Sequence, residues 1–194
     1  LTQFSRWYGQ AGTPVVHARS TYNREAQSLT LYLSQECAAT PGQTVKLPFH
    51  IPVAIGLVDA DGTDVALHSS GSGGNGETTL VLSLTEREQQ FRFSNVTVEP
   101  VPSLLRHFSA PVNLHYDYKD NQLAHLMAHD SDPFNRWEAG QRLATNVILR
   151  GIEDYKISRE LSLPTEFVDA VQRILVGSNN DPAFAAEAIA LPGP

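Results

Sequence analysis

The spacing of apolar residues changes once along the chain, near Asp120, and that change limits the architectures open to it. From Thr13 to about Tyr118 the apolar positions mostly alternate. Leu29, Leu31 and Leu33 face one way against Thr30, Tyr32 and Ser34, and Ile51, Val53, Ile55 and Leu57 repeat the pattern. A two-residue period is that of a half-buried strand. Residues 15–19, 80–84, 91–93 and 112–116 read the same way, separated by turn chemistry at Pro41-Gly42, Asp61-Gly62 and the Gly/Ser-rich 69–76. Many short strands without intervening helices predict an antiparallel sandwich. Pro48 and Pro52 remove ladder donors, so the strand around Ile51 is expected at an edge or with a bulge.

Beyond Asp120 the period is helical. Leu123, Leu126 and Met127 form one stripe; Phe134, Trp137, Ala144, Val147 and Ile148 a second; Phe167, Val168, Val171, Ile174 and Leu175 a third. Asp132-Pro133 and Asp181-Pro182 each place a carboxylate at an N-cap and a proline at the first helical position, where its missing N–H costs nothing. Gly177 is a stop. The last helix, from 182 to about 190, carries an alanine-rich face with nothing after it to pack against, which reads as a truncated array.

At 194 residues the chain is either one large domain or two small ones. Fourteen basic against twenty-one acidic side chains, with no Lys/Arg cluster, exclude nucleic acid as an expected partner. No apolar run approaches the ~20 residues of a membrane span, and the start lacks a signal-peptide pattern. The single Cys37 leaves no internal disulfide. Together these lead to an expectation of a cytoplasmic protein with no membrane partner.

Four short patterns carry possible chemistry. His125 and His129 have the four-residue spacing of a zincin helix, but Leu126 stands where H-E-x-x-H has its general base, and Ile148 stands where a third ligand would come from the next helix. Both imidazoles lie almost opposite the Leu123–Leu126–Met127 stripe and are expected to face solvent. Gly71, Gly73 and Gly76 spell G-x-G-x-x-G, yet "ETTLVLSL" follows, a strand where a dinucleotide site needs a helix. Asn95-Val96-Thr97 is a sequon with meaning only in a secreted chain. Cys37 sits in strand-end and turn sequence without a nucleophile motif, and Asp59, Asp61 and Asp64 lack the calcium-loop pattern. The expectation is no catalytic, cofactor-binding or metal-ligating residue.

The stretches that fail as catalytic motifs form a longer signature. "FSRWYGQAGTP" (4–14), "HIPVAIGLVDADG" (50–62), "PVPSLLRHFSAPVNLHYDY" (100–118), "HDSDPFNRWEAGQRLAT" (129–145) and "DPAFAAEAIALPG" (181–193) resemble, in order, segments of the bacterial alanyl aminopeptidase (aminopeptidase N) family of gluzincin zinc metallopeptidases. That resemblance implies an α+β multidomain fragment: an antiparallel immunoglobulin-like β-sandwich followed by an all-α array of helix hairpins. It further implies that residues 1–12 are the remnant of a catalytic-domain helix and linker, 13–118 the sandwich, and 119–194 the first helices of a C-terminal helical domain.

In that family two His of H-E-x-x-H and a downstream Glu hold zinc, and a G-A-M-E-N segment anchors the substrate amine. None of these occurs here. The implied function is a non-catalytic spacer in a zinc-dependent aminopeptidase that removes N-terminal residues, preferably small or basic, from peptides. Its implied partners are the catalytic and C-terminal domains of the same polypeptide, with zinc in the parent and none on this piece. The alternative is a free-standing immunoglobulin-like module that recognises a protein or glycan. The proline-flanked 100–111 stretch suits packing across a domain boundary, with Arg106 either bound to a carboxylate or solvated. Phe4, Trp7 and the last helix are expected to expose apolar surface in the isolated chain.

Overall fold

The computed structural model describes residues 2–69, 76–177 and 181–193. It divides into two compact units: Leu1–Ala60 with Asp64–Asp117, and Asp61–Thr63 with Tyr118–Pro194.

Among the described residues the first unit has eight strands: β1 (Val15–Asn23), β2 (Ser28–Glu36), β3 (Ile51–Val58), β4 (His68–Ser69), β5 (Leu80–Leu84), β6 (Glu88–Ser94), β7 (Val101–Leu104) and β8 (Asn113–Tyr116). They form a five-stranded sheet in the order β4-β6-β2-β1-β8 and a three-stranded sheet in the order β5-β3-β7. Alternation works as the sequence predicts: Leu29, Leu31 and Leu33 of β2 and Ile51, Val53, Ile55 and Leu57 of β3 are buried in one core with Leu82, Leu84 and Phe93. Every described pairing is antiparallel except that of β1 with β8, which is parallel from Val15↔Asn113 to Ala18↔Tyr116.

One strand expectation needs correction, and one strand was not foreseen. β3 is the central strand of its sheet, although Pro52 lies within it. β7 pairs only with Ile55–Val58, so at Pro52 one flank of β3 is open. On that flank Ala54 N donates to Ser109 Oγ at 2.9 Å. Alternate residues direct their N–H groups to the same side, so the donor Pro52 lacks would have pointed past the end of β7. The proline therefore breaks no rung, and neither an edge position nor a bulge is required. β7 itself, hidden in the sequence by Pro100 and Pro102, is an edge strand, which is where a strand proline is tolerated.

Residues before β1 pack on this unit rather than standing clear of it. A short helix, α1 (Arg6–Gly9), presents Trp7 to Phe49 with ring centroids 4.7 Å apart, and the indole N–H donates to His50 O at 2.9 Å. Trp7 is thus half-buried, contrary to expectation, whereas Phe4 and Tyr8 are exposed.

The second unit contains α2 (Asp120–His129), α3 (Pro133–Lys156), α4 (Thr165–Val176) and α5 (Pro182–Ala188). Both anticipated caps form: Asp132 accepts from Asn135 N and Asp181 from Phe184 N, each at 2.9 Å, with proline next in sequence. Gly177 caps α4.

The buried face of α3 differs from the predicted stripe. It consists of Asn135, Ala139, Gly140, Leu143 and Ala144, while Trp137 and Ile148 are exposed. Small residues win the inner face because α2 approaches closely there, with Met127 lying over Gly140. α5 is not left without a neighbour either: Ala185 and Ala188 are buried, α5 packs on α3 and α4, and Gln141 Nε2 donates to Ala190 O at 2.8 Å.

Candidate functional site

The two histidines that raised the zinc question sit on α2 as stacked rings, with centroids 4.8 Å apart and planes at 29°. They are half-buried rather than facing solvent, which corrects the expectation. Gly62 explains part of the burial. Its φ of +82° favours glycine, and a Cβ there would lie 1.9 Å from His129 Nδ1, so the imidazole occupies the side that glycine leaves open. Ile148, where a third ligand would come from the next helix, is an exposed aliphatic on α3. Among the described residues no three His, Cys, Asp or Glu come together in a way that could hold a metal ion. This donor set does not fit zinc, whose protein sites need at least three ligands.

The most elaborate polar cluster centres on a residue whose role the sequence left open. Arg106 is 1% exposed and binds Asp64 through both ends of its fork, Nη2 to Oδ1 at 2.6 Å and Nη1 to Oδ2 at 3.1 Å. Its Nε donates to Ser103 Oγ at 2.9 Å and Nη1 donates to Thr79 Oγ1 at 2.9 Å. The guanidinium lies against Gly56 of β3, where a Cβ would be 2.0 Å from Cζ. Arg106 is flanked by left-handed residues: φ is 58° at Leu105, 57° at His107 and 50° at Phe108. Such backbone is costly for side-chain-bearing residues and persists only where surrounding contacts hold it. A bidentate, fully hydrogen-bonded arginine supplies that hold.

The other sequence patterns resolve as structure. Gly71 and Gly73 lie outside the described residues, and Gly76, with φ +107°, leads into the strand β5 rather than a helix. Asn95 is exposed with φ +60° just after β6. The Cys37 thiol has carbonyls as its polar neighbours, Ala11 O at 3.7 Å and Ala38 O at 3.9 Å, not an imidazole. Of Asp59, Asp61 and Asp64, the last is the arginine's partner.

A depression of about 410 Å³ lies on the outer face of the larger sheet, lined by His17, Arg19, Tyr32, Ser34, Glu88 and Gln90. The Arg19 guanidinium covers the Tyr32 ring at 3.8 Å, and His17 stacks on His115 at 5.1 Å. Among the described residues that line it, no hydroxyl is hydrogen-bonded to an imidazole; elsewhere on the same unit His50 Nε2 lies 3.2 Å from Ser83 Oγ.

Titration shifts point to packing as well. Burial raises the Glu138 carboxyl, opposed by Arg142, and lowers Arg136, opposed by Asp130 and Asp181. Burial also raises the Tyr116 phenol against a hydrogen bond from Ser20.

A family described as Domain of unknown function (DUF3458), Ig-like fold, matches residues 12–117, more than half of the chain, and the C-terminal family DUF3458_C, described as ARM repeats, matches 120–194. The chain belongs to the DUF3458 family.

Over 99% of its length this DUF3458 chain is 43% identical to Aminopeptidase N of Escherichia coli (strain K12) and 41% identical to Aminopeptidase N of Caulobacter vibrioides. It is 35% identical over the same share to Aminopeptidase N of Haemophilus influenzae. It spans only 21–22% of the length of these relatives. A crystal structure of Legionella pneumophila aminopeptidase A in complex with aspartic acid superposes on the whole chain with TM-score 0.78 and 27% identity, using 20% of that protein. The sequence resemblance to the aminopeptidase N family, and the sandwich-then-helices architecture, are both borne out. Among the described residues no helix is long and apolar enough to cross a membrane. What sequence reasoning missed is the Gly56–Asp64–Arg106 set. The available signal was an arginine directly after an apolar Leu-Leu pair and between prolines, a setting in which a charge needs a partner.

Proposed function

We propose that this DUF3458 chain is a non-catalytic spacer within a longer zinc-dependent aminopeptidase that releases N-terminal residues from peptides in the cytoplasm. The observation that carries the reading is its 43% identity, end to end, to about a fifth of an Aminopeptidase N. Under this reading residues 1–12 leave a catalytic domain, 13–118 are the spacer sandwich, and 119–194 begin a larger helical domain. Zinc and the hydrolytic residues belong to the catalytic domain, and no residue numbered here contributes to either.

A sandwich suits the task because side chains from both sheets interlock at crystal-like density, so it transmits orientation with little bending. The apolar side chains that α3 and α4 expose, among them Ile148, Ile152, Val168 and Leu175, are where further helices of the same polypeptide would pack. The test compares two proteins against an aminoacyl amide with zinc present: the 194-residue chain and the full encoded polypeptide. Turnover by the longer protein alone is expected. Turnover by the short chain that survives His125→Ala with His129→Ala would overturn the reading.

A further inference from the structure

The segment between Thr44 and His50 belongs to no helix or sheet. Its backbone groups still require partners, and side chains supply them. Gln35 presents its amide to Phe49 as a neighbouring strand would, accepting from Phe49 N at 2.7 Å and donating to Phe49 O at 2.9 Å. Gln10 does the same from the N-terminal segment, accepting from Leu47 N at 2.7 Å and donating to Leu47 O at 2.9 Å. Gln43 returns the arrangement to the N-terminal segment, accepting from Ala11 N at 2.8 Å and donating to Gly9 O at 2.7 Å. Each amide offers one donor and one acceptor in the spacing of a peptide unit, so each pair imitates one rung of a ladder.

Three further contacts run between the same two segments. Gln3 Nε2 donates to Pro48 O at 3.2 Å, Arg6 also donates to Pro48 O, and Trp7 donates to His50 O. Lys46, 8% exposed, spends all three ammonium protons here, on Ala11 O at 2.8 Å, Thr40 Oγ1 at 2.7 Å and Gln43 Oε1 at 2.8 Å. A charge buried among neutral acceptors is held only if every proton is placed, so Lys46 ties the end of the N-terminal segment to a fixed point.

We propose that residues 3–12 form a rigid strap, locked by Gln10, Gln43 and Lys46 onto segment 43–50, so that polypeptide joined before Leu1 takes its orientation from the sandwich instead of hinging. The lock stands on this chain's own hydrogen bonds; its positioning role rests on the spacer reading above. A plain linker would show the opposite chemistry, with few polar groups paired to a distant segment. Here Trp7 sits on Phe49, and Gln3, Arg6, Gly9, Gln10 and Ala11 all bond to residues 43–50.

Hydrogen exchange on the 194-residue chain tests the lock. The Ala11 and Leu47 amides, donors to Gln43 and Gln10, are expected to exchange at least about tenfold slower than unstructured peptide. Gln10→Ala with Gln43→Ala should remove that protection while β2 and β3 amides keep theirs, and Lys46→Met should do so in part. Free-peptide exchange of Ala11 and Leu47 in the unaltered chain would overturn the lock, as would protection that survives the double substitution. Positioning is tested in the full encoded polypeptide with genetically encoded spin labels, one at Asn23 and one upstream of Leu1. The double substitution should broaden their distance distribution. A distribution unchanged despite lost protection would overturn the positioning role, whereas failure of the aminopeptidase reading would appear separately, as absence of turnover by that same polypeptide.

Discussion

The two units are stabilised differently. The sandwich core is made of large side chains, of which Leu31, Ile51, Ile55, Leu57 and Phe93 have no exposed surface. The helical unit buries Leu123, Leu126, Met127, Leu143 and Ile174, but much of its inner surface is Ala139, Gly140, Ala144, Ala170, Ala185 and Ala188, while Ile148, Leu149, Ile152, Leu175 and Val176 are exposed. Burying a Leu or Ile side chain stabilises by roughly 1.5–3 kcal/mol, and alanine contributes far less. The sandwich therefore carries its own stability, and the helical unit has apolar surface in hand for further contacts. Rigidity in one region and adhesion in the other is the division of labour a spacer needs.

The sharpest way to break the comparison is at the buried arginine. Asp64→Ala leaves the Arg106 guanidinium, 1% exposed, without its carboxylate. Removing one partner of a buried pair costs about 3–5 kcal/mol, so the sandwich transition in urea should move to markedly lower denaturant while the helical signal moves less. Replacing Arg106 and Asp64 together by Leu should recover much of that loss, because no orphan charge is left. Gly56→Ala should resemble the single change, since the methyl occupies the place of the guanidinium. A loss below about 1 kcal/mol for Asp64→Ala would mean the pair is solvated in solution and does not hold the left-handed turn.

Next comes a matched pair of truncations. Ile55→Ala in β3 and Ile174→Ala in α4 remove the same atoms from sites 0% and 3% exposed. Such changes cost roughly 2–5 kcal/mol, depending on how far the surroundings collapse into the cavity. Ile55 is enclosed by two sheets that cannot shift, so its loss should fall near the upper end. Ile174 lies on a helix whose outer residues Val168, Leu175 and Val176 are exposed, and its loss should fall near the lower end. Equal losses, by calorimetry or urea, would remove the distinction between the units.

Legibility in the sequence follows the same line. What depends on neighbours in sequence was readable: the alternation of β2 and β3, the helical period after Asp120, and the Asp-Pro starts of α3 and α5. What depends on partners far along the chain was not. Arg106 finds Asp64 forty-two residues away, Gly62 makes room for His129, and Gln10 stands in for a strand beside Leu47. Pro52 misled because the cost of a strand proline depends on which flank lacks a neighbour, a property of the sheet. Trp137 misled because a helical stripe can be read from the sequence, but which side of it meets another helix depends on where small residues permit approach.

Smaller effects are expected at the caps. Asp132→Ala removes a carboxylate, 2% exposed, that accepts from Asn135 N, while the backbone bond from residue 132 N to Asp130 Oδ1 stays. N-cap losses run about 0.5–2 kcal/mol, and Asp132 should sit toward the top of that range. Asp181→Ala, at an exposed cap on the short α5, should sit at the bottom. The helical circular-dichroism transition reads both; a larger loss at Asp181 would show that α5 contributes more to the unit than its two buried alanines suggest.

The smallest and most specific effect is a pH dependence. Glu138 on α3 has its carboxyl raised above the ordinary 4.5 by burial, with Arg142 opposing in part. The folded state then binds more protons than the unfolded one between 4.5 and the raised value, so stability falls as pH climbs through that interval and stays lower above it. Glu138→Gln keeps the shape without the charge, so it should stabilise the helical unit at neutral pH, by less than the loss at either cap, and leave it unchanged below pH 4. Asp120 works in the other direction. Burial raises its carboxyl, but hydrogen bonds from Asn146 and Arg150 outweigh that and leave it below 3.8. Its contribution is present above 3.8 and is lost as pH falls through the lowered value. The Gln variant should therefore retain the acid limb and lose the decline between mildly acidic and neutral pH. A decline of unaltered slope would assign it to a group other than Glu138.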